Sequence, residues 1–130
     1  MSNKKTCMDY INDAKSRITE IEIDMAEQLI VKGYKVIDIR ESHEHEAKKI
    51  KGSINIPRGV LEPAACLDFQ DINPVLRDSR DDSWLILCAT SGRAALATDT
   101  LQAMGFNNVT NIAGDLEAWE NANKGILCTA

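Results

Sequence analysis

Cys88 stands out among the residues able to do chemistry because of the five residues after it. Ala89, Thr90, Ser91, Gly92 and Arg93 make a short run of small and polar residues between an apolar stretch and a helix-forming one. A loop of this kind lets several backbone N–H groups turn toward one anionic centre before helical pairing begins. The helix field and the Arg93 guanidinium both favour a charged sulfur, and such surroundings lower a cysteine pKa by roughly one to several units. A thiolate activated in this way needs no neighbouring general base, which fits the absence of histidine after residue 80. The bland alternative is a small buried hydrophobe at a strand end. A structural cysteine has no need of a convergent cradle of donors, so the combination points to nucleophilic sulfur chemistry.

Such a loop must be held by regular elements. Residues 84–87, Trp-Leu-Ile-Leu, read as a buried strand leading directly into Cys88. Ala95, Leu96, Ala97, Leu101 and Met104 mark a helix after it, ended by Gly105, with Phe106 folding back on Leu101. Residues 36–39 form a second buried strand, and residues 107–112 a third. A short strand is expected at 19–23, followed by a helix over 25–32 that starts on a capping-box-like Asp24 and Glu27 and ends at Gly33. Met8, Ile11, Ala14 and Ile18 recur at helical spacing, which predicts an amphipathic helix at about 7–18 packed on the outside. A final helix is expected over 115–123, with Leu116 and Trp119 facing inward. Residues 60–67 suggest a short helix and residues 78–82 an exposed loop. Alternation of strand and helix calls for a mostly parallel sheet covered by helices on both faces. Ligands of such sheets bind beyond the carboxyl ends of the strands, where Cys88 falls.

Composition sets bounds. The 130 residues, 44% hydrophobic, suit one domain spanning 1–130 with a real core. A net charge of −5 speaks against a nucleic-acid surface, which needs clustered positive charge. The first fifteen residues carry no apolar stretch like a secretory signal, and no segment approaches the roughly 20 apolar residues that span a bilayer. A cytoplasmic protein without a membrane partner is the expectation. Cys7, Cys66, Cys88 and Cys128 form no Cys-x-x-Cys pair, so neither a zinc site nor a disulfide framework is expected, and no metal or cofactor.

Other polar residues read as structural. Asp38 and Arg40 are expected to form a charged strand exit, with Arg40 bridging to Glu41 or Glu44. His43 and His45 stand two apart, which does not share a helix face, so a solvated face is the reading rather than metal ligation. Cys66, next to Ala64, Ala65 and Leu67, reads as packing. Arg58, just after Pro57, is a candidate for attracting an anionic substrate.

Four of these stretches together resemble the rhodanese family, over about residues 23–119. Val36-Ile37-Asp38-Ile39-Arg40-Glu41 looks like the family's Asp-x-Arg strand, and Ile50-Lys51-Gly52-Ser53-Ile54-Asn55-Ile56-Pro57 resembles the loop and proline after it. The Leu87 to Arg93 stretch looks like the active-site loop, and Gly114 with Trp119 is similar to the closing Gly-x-x-x-x-Trp segment. The resemblance implies a three-layer α/β fold with a central, mostly parallel five-stranded sheet. It also implies a transferable sulfur held as a persulfide on Cys88, within a cradle of Ala89, Thr90, Ser91, Gly92 and Arg93. The donor would be a small sulfur anion such as thiosulfate, or a persulfide, and the acceptor a thiol, a protein or cyanide. Four residues separate Cys88 from Arg93. Related phosphatases and arsenate reductases place five there, so those activities rank behind sulfur transfer, as does a non-catalytic binding or redox-sensing module. The sequence departs from the family pattern at Lys49, where histidine is frequent, at Ala94, where a hydroxyl is, and at Asp115, where a second glycine is.

Overall fold

Leu85, Leu87, Trp84 and Ile86 alternate between two faces and are all nearly or fully buried, so β5 (Ser83–Leu87) must be covered on both sides. The computed structural model describes residues 4–68, 72–87 and 92–114, with the backbone of 127–129. In it β5 is the centre of a five-stranded sheet with β1 (Glu20–Ile21), β2 (Lys35–Asp38), β4 (Ile54–Asn55) and β6 (Asn108–Ile112), in the order β1-β6-β5-β2-β4. Every pairing in this sheet is parallel.

One face joins Ile37, Trp84, Ile86 and Val109 to Leu61 and Ala65 of α4 (Leu61–Ala65), Leu76 of α5 (Pro74–Arg77), and Ala94, Ala97 and Leu101 of α6 (Gly92–Ala103). The other joins Val36, Leu85, Leu87 and Ile112 to Ala26 of α2 (Ile23–Val31), with Leu29 and Ile30 packed alongside. Helices therefore cover both faces, as the alternation of elements requires. A separate antiparallel pair, β3 (Lys48–Ile50) with β7 (Leu127–Thr129), was not anticipated.

Both glycine terminators act as read. Gly33 and Gly105 have φ of 109° and 97°. Tyr34 N–H donates to Leu29 O, and Phe106 N–H to Leu101 O, each at 3.0 Å, closing Schellman turns that satisfy the last helical carbonyls. Leu101 and Phe106 belong to the same buried cluster. Replacing Gly105 with alanine forces a Cβ into the left-handed region and is expected to cost roughly 1–2 kcal/mol. A shift in the urea midpoint at unchanged m-value checks this.

Several boundaries differ from expectation. The first helix, α1 (Cys7–Lys15), stops short of residue 18 because Ser16 takes the C-cap position, and Met8 is exposed. Its start is firm: Thr6 and Asp9 exchange side-chain to backbone hydrogen bonds in a capping box. α2 begins at Ile23 rather than Met25, on Glu22 and without a side-chain cap; Asp24 lies in the first turn, where its charge suits the helix dipole. Ile23 packs against the buried cluster on that face, which favours the earlier start.

Between α4 and β5 the sequence reading was coarsest. The short helix α5 is capped by Asn73, whose side chain accepts from Val75 N at 2.9 Å, with Pro74 following. Residues 78–82 do form a loop, but Ser79 is buried and accepts from Trp84 Nε1 at 2.9 Å through its carbonyl. Arg80 is half-buried: it donates to Met104 O at 3.0 Å and to Ala65 O, and lies over the Phe106 ring. The helix expected over 115–123, with Leu116 and Trp119, lies outside the described residues.

Candidate functional site

Leu87 ends β5 at the carboxyl edge of the sheet, and Gly92 begins α6. The residues that join them, Cys88, Ala89, Thr90 and Ser91, lie outside the described set, but both anchors of that connection are placed and buried. The Leu87 carbonyl accepts from Ile39 N–H at 3.0 Å, and Asp38 stands beside Leu87 in the parallel register. Residues after β2 are thus laid alongside the approach to Cys88. The opposite anchor is the start of a twelve-residue helix whose first turn contains no acidic residue. Its dipole favours negative charge at that end.

Arg93, in the first turn of α6, meets Glu44 of α3 (Ser42–Ala47) in a two-pronged pair, Nη1 to Oε1 at 3.1 Å and Nη2 to Oε2 at 3.3 Å. Glu44 Oε1 also accepts from Glu41 N–H at 2.9 Å, the reciprocal bond of a capping box that opens α3. The Arg93 guanidinium holds the Glu44 carboxyl below the usual carboxylate range, against the opposing effect of burial. Glu44 is therefore the partner of the loop arginine and not of Arg40, as the sequence had suggested.

Arg40 instead folds back on Asp38. Asp38, with no exposed surface, accepts from Arg40 Nε at 3.0 Å on one oxygen, and from Arg40 Nη2 at 2.8 Å and His45 Nδ1 at 2.9 Å on the other. Arg40 Nη2 also donates to Lys48 O at 2.6 Å, and Asn55 Nδ2 donates to the carbonyls of Asp38 and Arg40. His45 is thus largely buried and bonded, not on a solvated face, while His43 is exposed; the two do not converge on one point. One short helix carries both connections: His45 ties α3 to β2, and Glu44 ties it to α6. The three-residue spacing of Glu41 and Glu44 was the signal in the sequence that could have located Glu44.

Arg58 reaches the same edge through its backbone, its N–H donating to Ile39 O at 3.0 Å. Its guanidinium turns elsewhere, to Glu62 Oε1 at 2.9 Å and Thr100 Oγ1 at 3.3 Å. Thr100 lies about 10 Å along α6 from Arg93 at 1.5 Å per residue. Cys66 is not packed inside as expected: it is partly exposed at the end of α4, its thiol donating to Asp68 Oδ1 at 2.6 Å, with Leu67 exposed beside it. A polar recess of about 450 Å³, lined by Lys32, Tyr34, Lys35, Asp81 and Asp82 among others, opens where β2 and β5 begin. That is the opposite end of the sheet from Cys88, and Lys35 and Asp82 already neutralise each other there at 2.7 Å. Among the described residues, no helix is long and apolar enough to cross a membrane.

This arrangement, a five-stranded parallel sheet with β5 at its centre and helices on both faces, is the rhodanese-like one. The chain matches the rhodanese-like domain family over residues 22–122 and belongs to it. It is 28% identical over 109 residues to thiosulfate sulfurtransferase 16, chloroplastic, of Arabidopsis thaliana, covering 81% of this chain and 90% of that protein. It spans 65% and 56% of the length of relatives from Schizosaccharomyces pombe and Bacillus subtilis. Among solved structures, a Rhodopseudomonas palustris protein of unknown function, described as a possible tyrosine phosphatase, superposes with a TM-score of 0.87 at 29% identity, covering 97% of both chains. The human single-domain sulfurtransferase superposes at 0.70 and 22% identity, over 78% of this chain and 95% of its own, and shares the fold.

Proposed function

We propose that the protein is a sulfurtransferase that carries sulfane sulfur as a persulfide on Cys88, within one domain spanning residues 1–130 and working in the cytoplasm. The observation that carries this reading is the joint of β5 and α6. Four residues, beginning with the cysteine, connect the carboxyl edge of a buried strand to a helix start whose arginine is pinned by Glu44. A cradle of that length suits one sulfur atom. The Cys88 thiolate attacks the outer sulfur of thiosulfate; a new S–S bond forms, the old one breaks, and its electron pair leaves with sulfite. An acceptor thiolate or cyanide then takes the outer sulfur from the persulfide and returns Cys88 to its thiolate.

Arg93 and Glu44 together are nearly neutral, so stabilisation of the thiolate rests chiefly on the backbone amides of residues 89–93 and the helix field. Arg93 then serves to fix the first turn of α6. Replacing Glu44 with glutamine keeps an acceptor for Glu41 N–H but removes the ionic fork, and is expected to lower kcat/KM about tenfold. The pair is partly exposed, so the change should cost less than about 1 kcal/mol of stability. Steady-state kinetics with a parallel melting curve check both. The pH dependence follows from the sign of the shift: a carboxyl depressed in the folded state contributes fully above the ordinary carboxylate range and loses its contribution as pH falls through the depressed value. The pair therefore persists across neutral pH, and a rise of activity through that region reports the thiol instead.

A Cys88-dependent phosphatase is the second reading, favoured by the similarity to the R. palustris protein. One experiment separates the two: formation of thiocyanate from thiosulfate and cyanide, set beside hydrolysis of para-nitrophenyl phosphate by the same preparation. Sulfur transfer without hydrolysis is the expected result, and Cys88-dependent hydrolysis without sulfur transfer reverses the assignment.

A further inference from the structure

The family match begins at residue 22, so α1 stands outside it. Yet α1 is fastened along α6, the helix that the cysteine loop enters. At the near end, Ile11 sits directly on the first residue of α6: a Cβ built on Gly92 would lie 2.9 Å from Ile11 Cδ1, closer than real Cβ atoms approach. One turn on, Ala14 is almost wholly buried. At the far end, Arg17 forks onto Asp99, Nε to Oδ1 at 2.9 Å and Nη2 to Oδ2 at 2.7 Å, and also reaches Asp13 at 2.9 Å. Gln102 Nε2 donates to Arg17 O at 3.0 Å. The hydrogen bond from Arg17 holds the Asp99 carboxyl below its usual range, so this clasp stays charged at neutral pH.

These contacts match in order along α6, Ile11 of α1 with residue 92 and Arg17, two residues past the end of α1, with residues 99 and 102. Any tilt or slide of α1 is therefore transmitted to the start of α6. The first turn of that helix directly follows the Cys88 loop in the chain, and small errors in the position of site donors have large consequences, since a displacement of about 1 Å can cost a hundredfold in rate. Glycine at 92 leaves room for the Cδ1 tip of Ile11, which a side chain there would displace.

We propose that α1 is a positioning element for the Cys88 loop and that Ile11, seated on Gly92, is the residue through which it acts. The inference rests on the sulfurtransferase reading for its kinetic consequence, but its effect on the reactivity of the Cys88 thiol does not. Two measurements are therefore made on the full chain. One is kcat and KM for thiosulfate. The other is the rate of Cys88 alkylation by iodoacetamide, located by peptide mass, over roughly pH 5 to 9, which reports thiolate formation.

Ile11→Ala is expected to lower kcat about tenfold with a smaller change in KM, and to move the alkylation midpoint upward by about half a pH unit. Gly92→Ala is expected to impair both measures by less than Ile11→Ala, because its Cβ need only displace the flexible Cδ1 tip of Ile11. Adding Ile11→Val, which removes the Cδ1 that the new Cβ meets, should recover part of each loss, a rescue that general destabilisation would not give. If Ile11→Ala unfolds the chain, this rescue pair decides the question. Wild-type alkylation and turnover in a folded Ile11→Ala protein would overturn the proposal, as would Gly92→Ala defects untouched by Ile11→Val. Should the wild-type protein show no sulfur transfer, the sulfurtransferase reading fails and the alkylation profiles alone decide the role of α1.

Discussion

Cys88→Ser is expected to reduce thiocyanate production from thiosulfate and cyanide to the uncatalysed background while leaving the melting temperature near that of the wild type. Serine is close in size to cysteine, so little in the packing should change. What is lost is the atom that bonds to sulfur: a serine hydroxyl stays protonated at neutral pH and does not form the persulfide that carries the sulfane sulfur. The same variant separates a carrier mechanism from a template mechanism. A carrier gives parallel double-reciprocal lines for the two substrates in the wild type, because sulfite leaves before the acceptor arrives, and a dead enzyme in the variant. Residual turnover in Cys88→Ser would mean that another thiol, such as the partly exposed Cys66, takes the sulfur.

The second large effect concerns stability. Asp38 is fully buried and Arg40 nearly so, with side-chain exposures of 0% and 6%. Asp38→Ala leaves the guanidinium enclosed, with the Lys48 carbonyl as its remaining acceptor among the described residues, and strips His45 of its carboxylate. Removing one member of a buried pair typically costs about 3–5 kcal/mol. For a chain of this size that corresponds to a fall in melting temperature of roughly 10 °C or more. Because Asp38 lies beside Leu87, sulfur transfer should fall as well. A further change of Arg40 to methionine in the same chain should restore part of the stability, since the cost arises from the stranded charge. Calorimetry on the two variants checks the sign and the recovery.

These two residues also show what the sequence could reveal. Strands β2 and β5 were legible because a strand buried on both faces must be apolar at nearly every position, and Val36, Ile37 and residues 84–87 are. Gly33 and Gly105 marked helix ends because positive φ favours glycine. Cys88 and Arg93 could be nominated from the sequence because their spacing is local. What escaped were contacts set by the tertiary fold. Arg93 and Glu44 are 49 residues apart, and nothing in either neighbourhood names the other. His45 looked solvated because its charged neighbours suggested an outer face, whereas the turn after β2 rotates it back onto Asp38. Arg80 sat in a run of acidic residues that read as exposed, yet it is drawn inward by the carbonyls of Ala65 and Met104 and the Phe106 ring. The β3–β7 ladder pairs segments from distant parts of the chain, and its three-residue strands carry too little pattern to be read alone.

The most direct test is the intact mass of the wild-type protein after brief incubation with thiosulfate and removal of excess reagent, without reductant. The expected result is a gain of about 32 Da, one sulfur atom, located on the peptide containing Cys88 and lost on treatment with cyanide or a thiol. An unchanged mass with thiosulfate and with persulfide donors alike, from protein whose Cys88 alkylates readily, would contradict the account.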